Sequence, residues 1–257
     1  MTLPALFLSH GAPTLLLDES PARDFLAALG HRLGRPRAVL AVSGHWEEAE
    51  PALSGAATTI HDFWGFPEPL YGVEYAAPTA PDLEAEAGAA LAAAGWGCSV
   101  RPDHGRDHGT WVPLALMYPA ADVPVVQLSL LDGAGPDAHL RLGAALRPLR
   151  EAGVLVMGSG GFTHNLRDLD WRNPQAPEAG WVTEFCDWMH AALTEGRADD
   201  LLAYRSRCPH GVRSHPTEDH ILPLFVALGA GGPEARAERL HASRQFGALR
   251  LDAYAFG

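Results

Sequence analysis

Cysteine is scarce in this 257-residue chain: Cys98, Cys186 and Cys208 are odd in number, widely separated and form no C-x-x-C pair. That excludes a disulfide framework and a cysteine-built zinc site, and it suits a reducing, cytoplasmic setting. No apolar stretch approaches the roughly 20 residues that a membrane-crossing helix needs, so no membrane partner is expected. The N-terminal run Met1-Thr-Leu-Pro-Ala-Leu-Phe-Leu has no basic segment and stops at Ser9, unlike a secretory signal. Basic clusters are missing too. The formal charge is −12, and an acidic surface of that kind repels nucleic-acid phosphates. G-x-S-x-G, P-loop and G-x-G-x-x-G fingerprints are absent, and Ser159 in Gly158-Ser-Gly-Gly lacks the context of a nucleophile elbow.

What the chain does have is apolar content and punctuated runs. With 47% hydrophobic residues and no Pro/Gly/Ser linker, residues 1–257 are expected to form one domain with a sizeable core. Ala5-Leu-Phe-Leu, Ala38-Val-Leu-Ala-Val, Val123-Pro-Val-Val-Gln-Leu-Ser-Leu and Val154-Leu-Val-Met read as strands buried on both faces, as in a mostly parallel sheet. Helical spacing is seen from Ala22 to Leu33, Pro81 to Ala94, Asp137 to Ala152 and Gly180 to Arg197. In the last of these, Trp181, Phe185 and Trp188 fall at core positions. Pro216, followed by Glu218 and Asp219, predicts another helix start that Pro223 would kink or break. Leu249 to Phe256 alternates like a closing strand. Strand alternating with helix predicts an α/β fold with helices on both sheet faces.

Thirteen histidines are the unusual feature, because several sit beside glycines. His10, His45 and His164 each follow an apolar run, near Gly11, Gly44 and Gly160-Gly161. Ligands in open α/β sheets bind at the carboxyl ends of the strands, so three histidines at matching places can share one metal. His220 in Ser214-His-Pro-Thr-Glu-Asp-His is the fourth candidate, placed a turn into the predicted helix and facing inward. His215 is expected at the helix cap, as a contact to substrate or to a ligand, and His210 in a solvated loop. His104-Gly-Arg-Asp-His108 resembles an H-x-x-x-H zinc helix, but Gly105 and Gly109 weaken any helix there. His108 is therefore expected either in a loop facing a pocket or as the cap of a helix from Val112.

These residues resemble the class III extradiol ring-cleavage dioxygenases, LigB-like proteins, and within them the bacterial and plant 4,5-DOPA extradiol dioxygenase branch. The likeness spans nearly the whole chain. It is carried by Leu6-Phe-Leu-Ser-His-Gly-Ala-Pro, Ser43-Gly-His-Trp, Asp62-Phe-Trp-Gly-Phe-Pro-Glu-Pro-Leu-Tyr, Asp107-His-Gly-Thr-Trp-Val-Pro-Leu, Gly158-Ser-Gly-Gly-Phe-Thr-His-Asn-Leu and His215-Pro-Thr-Glu-Asp-His-Ile-Leu-Pro-Leu. Their order and spacing together are specific.

The resemblance implies an α/β fold around a mononuclear metal, Fe(II) for activity, with Zn(II) able to occupy the isolated protein. His10, His45 and His220 match its metal ligands, His164 matches a residue read as either an active-site base or a further ligand, and His108 matches the histidine that meets oxygen or the substrate hydroxyl. The implied reaction joins O2 to a catechol, DOPA-like or otherwise, and opens the ring to a semialdehyde; the implied partners are a small aromatic diol and O2. The loop from Phe63 to Tyr71, with Trp64 and Phe66, is a candidate wall for the aromatic ring. One departure is plain: His220 stands where protocatechuate-type members have a glutamate, so the 2-His-1-carboxylate pattern is not met. Two other readings stay open: a zinc hydrolase in the same pocket, against which the lack of H-E-x-x-H counts, and a non-catalytic protein that kept the pocket.

Overall fold

The computed structural model describes residues 2–257. In chain order these form β1 (Ala5–Ser9), α1 (Pro21–Leu33), β2 (Ala38–Glu48), β3 (Ala52–Ser54), α2 (Pro81–Ala93), β4 (Ser99–Val100), α3 (His108–Met117), β5 (Val125–Leu131), α4 (Pro136–Glu151), β6 (Val154–Gly160) and α5 (Gly180–Thr194). Three short helices follow, α6 (Ala198–Leu202), α7 (Tyr204–Arg207) and α8 (Gly211–Ser214). The chain ends with α9 (Leu222–Gly231), β7 (Ala237–His241), β8 (Arg244–Gln245), β9 (Leu249–Arg250) and β10 (Ala253–Phe256).

The apolar runs pair as expected. Eight strands lie in the order β4-β3-β5-β2-β6-β1-β10-β7, and the central four, β5-β2-β6-β1, are parallel. All residues of β1, β5 and β6 are buried, which is why these strands carry continuous Val, Leu and Ala rather than alternation. Antiparallel pairing closes both flanks, β3 on β5 and β10 on β1.

Helices cover both faces, and the residues of β6 show how. Successive side chains on a strand point to opposite faces. Gly158 and Gly160 face the start of α9, where a Cβ would collide with the carbonyls of Pro223 and His220, while Ser159 between them reaches Gly109 in α3. α9 therefore packs on one face and α3 on the other.

Several local expectations are corrected. His108 is neither a loop residue nor the cap of a helix from Val112; it is the first residue of α3, which Asp107 caps by accepting from Thr110 N–H at 3.1 Å. Pro113 inside α3 cannot bond the Gly109 carbonyl four residues back, and the Ser159 hydroxyl donates to that carbonyl instead. No helix starts at Pro216. The His220 carbonyl, which such a helix would use internally, accepts from Gly161 N–H at 2.8 Å, and α9 begins at Leu222 with Pro223 in its first turn. His45 lies within β2 rather than past it, at a shift of register between Val42 and Glu47. The closing strand divides at Leu251-Asp252, with β9 pairing to β8 and only β10 joining the main sheet.

Candidate metal centre

Strand register brings the first two histidines together. Ser9 of β1 lies level with Gly160 of β6, and Ser43 of β2 lies level with Ser159. His10 and Gly44-His45 thus emerge at one level of the sheet's carboxyl edge. His10 N–H donates to the Gly160 carbonyl at 3.0 Å, which ties the turn down. His220 arrives from the other side because Gly160 has no side chain, allowing the His220 backbone to lie directly on the strand end.

The three rings converge through Nε2. His45 Nε2 is 3.1 Å from His10 Nε2 and 3.2 Å from His220 Nε2. Each Nδ1 is tethered on the outside. The Ser159 hydroxyl spends its proton on the Gly109 carbonyl, so its oxygen accepts from His10 Nδ1–H at 3.0 Å. Asp219 accepts from His220 Nδ1–H, and an Asp62 oxygen lies 3.4 Å from His45 Nδ1. The hydrogen bonds set the tautomers of His10 and His220, and the carboxylate beside His45 Nδ1 favours the same tautomer there, which leaves three Nε2 lone pairs facing one another with no proton between them.

That arrangement is unfavourable without a cation. Nitrogens about 3 Å apart suit a shared metal at about 2.0–2.2 Å, so these residues fit the divalent ion the sequence implies. Their ionisation agrees. Burial, with the neighbouring histidines adding to it, pushes His10 and His220 well below the usual imidazole value. Burial likewise lowers His45, to about 3, with His108 reinforcing the shift and Asp62 opposing it. Neutral imidazoles at pH 7 are the form that binds metal.

The other two predicted histidines border this trio. His108 Nδ1 lies 3.0 Å from both Asp62 oxygens, and its backbone N–H donates to Asp62 Oδ1 at 2.9 Å. Burial opposes ionisation of Asp62, but hydrogen bonds from the His108 side chain and backbone, together with its charge, prevail and hold the carboxyl near 2. His108 is left with Nε2 free. The His164 ring stacks on His220 with centroids 3.4 Å apart and planes 9° from parallel. It lies near both His220 and Asp219, close enough for the three to form a second cluster of potential ligands. Burial lowers His164 to about 4, against the pull of Asp219, so it is unprotonated at neutral pH.

His215 is buried behind the site, where Nε2–H donates to the Gly161 carbonyl at 3.1 Å. It caps the end of α8, not the start of a helix, and does not line the cavity. His210 pairs with Glu184 at 3.0 Å on the exposed side of α5. His104 stacks on Trp46 with centroids 3.9 Å apart.

Three functional residues were not singled out by sequence. Asp62 and Asp219 are hydrogen-bond acceptors for histidines, and buried Asp107 takes Ser43 at 2.7 Å and Gln127 at 2.9 Å. Burial raises Asp107 to about 6, against the Ser43 hydrogen bond. Asp219 could have been found from its place beside His220; nothing local marks Asp62 as the partner of a residue in α3.

The trio forms one end of a cavity of about 550 Å³. Its apolar lining comprises Phe63, Trp64 and Phe66 together with Leu166, Trp171 and Leu249. Phe63 stands perpendicular to the His108 ring at 5.6 Å and packs against Tyr71 at 5.2 Å.

Comparison with known proteins identifies the family. Residues 4–256 match the family described as the catalytic LigB subunit of aromatic ring-opening dioxygenase. The 4,5-DOPA dioxygenase extradiol of Beta vulgaris is 39% identical, with 97% of this chain and 95% of that one aligned. The protein of the same name from Escherichia coli K12 is 38% identical, over 89% of this chain and 85% of its own. A solved structure of an uncharacterised Escherichia coli K12 protein superposes with a TM-score of 0.85 and 31% identity, over 99% and 100% of the two chains.

Fold and site together define a metal-dependent dioxygenase that opens aromatic rings. The chain belongs to the LigB family and is an extradiol ring-opening oxidoreductase. The zinc-hydrolase and non-catalytic readings are not favoured.

Proposed function

We propose that the protein opens a catechol with O2 using Fe(II) held by His10, His45 and His220. The supporting observation is the set of three externally tethered imidazoles whose unprotonated Nε2 atoms meet at 3.1 and 3.2 Å. A redox-active metal bound there supplies electron transfer between the diol and O2, chemistry that zinc lacks.

The chain's own groups do the rest. His164 accepts the proton of a substrate hydroxyl; it is neutral at pH 7 and lies on His220 at the edge of the trio. This position favours the role of base over that of fourth ligand. His108, its Nδ1 fixed on Asp62, presents Nε2 to take the proton of the second substrate hydroxyl, with which it hydrogen-bonds the oxygen being added and which it returns as the ring opens. Phe63 offers a flat apolar wall beside His108 for the aromatic ring. In the overall reaction the carbon–carbon bond beside the diol breaks. One oxygen atom ends in a carboxylate and the other in an aldehyde, and the substrate's electrons reduce O2.

A reducing, cytoplasmic compartment suits this reading. Cys98, Cys186 and Cys208 are all free thiols. Among the described residues no helix is long and apolar enough to cross a membrane.

The test is to load metal-free protein anaerobically with Fe(II) or Zn(II), then admit air with a panel of catechols. Fe(II) protein is expected to consume one O2 for each ring opened and to form a yellow semialdehyde, with no uptake by the Zn(II) form. Uptake absent across the panel, or equal with zinc, contradicts the proposal.

A further inference from the structure

Among the described residues six large apolar side chains are exposed, and three of them, including both tryptophans, gather at one place. Trp64, Leu166 and Trp171 are 86%, 48% and 52% exposed, and all three line the mouth of the histidine cavity. Exposed apolar surface concentrated around a polar centre marks a binding surface.

The inner and outer parts of this wall differ. Phe63 and Phe66 pack edge to face at 5.4 Å, and Phe63 also rests on Tyr71 and Trp111, so the wall nearest the metal ligands is fixed. Trp171, in the same lining, is backed by Phe246 at 5.2 Å. Trp64, between Phe63 and Gly65, is left facing water. A bare dihydroxybenzene ring fills only a fraction of about 550 Å³, so the cavity has room for a substituent that meets the two tryptophans of its lining.

The charges around this outer space do not suit an amino-acid tail. No arginine lines the cavity, and the chain contains no lysine. Arg250, next to Leu249, is held by Glu178 at 3.0 Å and Asp252 at 2.9 Å, and Arg167, next to Leu166, is exposed and outside the lining. Asp62 is the one carboxylate in the wall, and both its oxygens face His108. A carboxylate-bearing tail would meet indole and leucine surface with no cation to pair it.

We infer that the cavity takes a catechol bearing an extended apolar substituent, aryl or alkyl, gripped between Trp64 and Trp171. The inference rests on the reading of the site as one that takes a catechol, and it departs from the substrate in the relatives' names. The diol lies at the histidines and the tail lies across the aromatic rim.

The experiment measures binding of three probes to the metal-loaded protein without oxygen, by calorimetry, followed by O2 uptake for each. The probes are catechol, 4-phenylcatechol and L-DOPA. Burial of an aryl group between two aromatic rings should make 4-phenylcatechol bind about tenfold more tightly than catechol. L-DOPA should bind no more tightly than catechol. Trp64→Ala and Trp171→Ala, both at exposed positions, should each reduce the ratio of 4-phenylcatechol to catechol affinity several-fold, and Trp64→Phe should restore most of it. Tightest binding of L-DOPA, or an unchanged ratio in both alanine variants, overturns the inference while leaving the catechol reading standing. Failure of all three probes to bind overturns both.

Discussion

Asp62 holds His108 from two directions: both carboxylate oxygens lie 3.0 Å from His108 Nδ1, and Oδ1 also takes the His108 backbone N–H at 2.9 Å. The same carboxylate lies 3.4 Å from His45 Nδ1, so one side chain holds His108 and sits beside a metal-ligand candidate. Acceptors of this kind fix imidazole tautomer and angle, and their loss costs roughly 10–100-fold in metal affinity or activity. Asp62→Asn should therefore lower kcat about 10–100-fold, with a smaller effect on KM. Steady-state kinetics alongside metal content checks this; wild-type kcat in Asp62→Asn would show that neither histidine depends on the carboxylate.

The histidines should separate by metal retention. His10→Ala, His45→Ala and His220→Ala each remove one of the converging Nε2 atoms and should leave protein that does not hold Fe(II) through gel filtration. His108→Ala and His164→Ala should retain metal and lose most turnover. Elemental analysis of the five variants decides the assignment, and loss of metal from His164→Ala would make that residue a ligand.

Ser159 is predicted to matter through structure. Its hydroxyl serves both the Gly109 carbonyl, which Pro113 leaves without a helical partner, and His10 Nδ1–H. Ser159→Ala strands two buried polar groups, at about 1–3 kcal/mol each. Denaturant unfolding should register that loss together with weakened metal binding. Full stability with abolished turnover would instead be the signature of a nucleophile.

His215 should shape the acid limb of stability. Burial lowers it to about 3, with its hydrogen bond to the Gly161 carbonyl opposing, and Nδ1 is buried without a partner. Its folded value lies below the ordinary value of about 6.5, so between the two the unfolded chain binds more protons. The stability tied to a neutral His215 is complete above about pH 6.5 and is lost as pH falls toward 3, at about 1.4 kcal/mol per pH unit. His215→Gln should flatten the dependence of unfolding free energy on pH by about that slope; an unaltered slope would contradict it.

The strand runs and the histidines that follow them were legible because each is local: a buried parallel strand reads as continuous Val, Leu and Ala, and His10 follows its last residue. His220 was legible as an inward-facing histidine, but not its backbone, since the partner that removes its carbonyl from a helix is Gly161, 59 residues earlier in the chain. His108 was misplaced because Gly105 and Gly109 argue against a helix, and the Ser159 hydroxyl that takes up the Gly109 carbonyl comes from β6. The capping Asp107 was the overlooked local signal. Asp62 could not be read as His108's partner, because that pairing joins a loop to a helix 46 residues away.

The proposed reaction inserts both atoms of O2 into an aromatic diol and opens its ring. The most direct test is a single turnover of Fe(II)-loaded protein under 18O2 with 4-phenylcatechol, followed by mass spectrometry of the product. The expected product is a ring-opened semialdehyde carrying two labelled oxygen atoms, allowing for exchange of the aldehyde oxygen with water. A quinone with no label, or an intact ring, would contradict it.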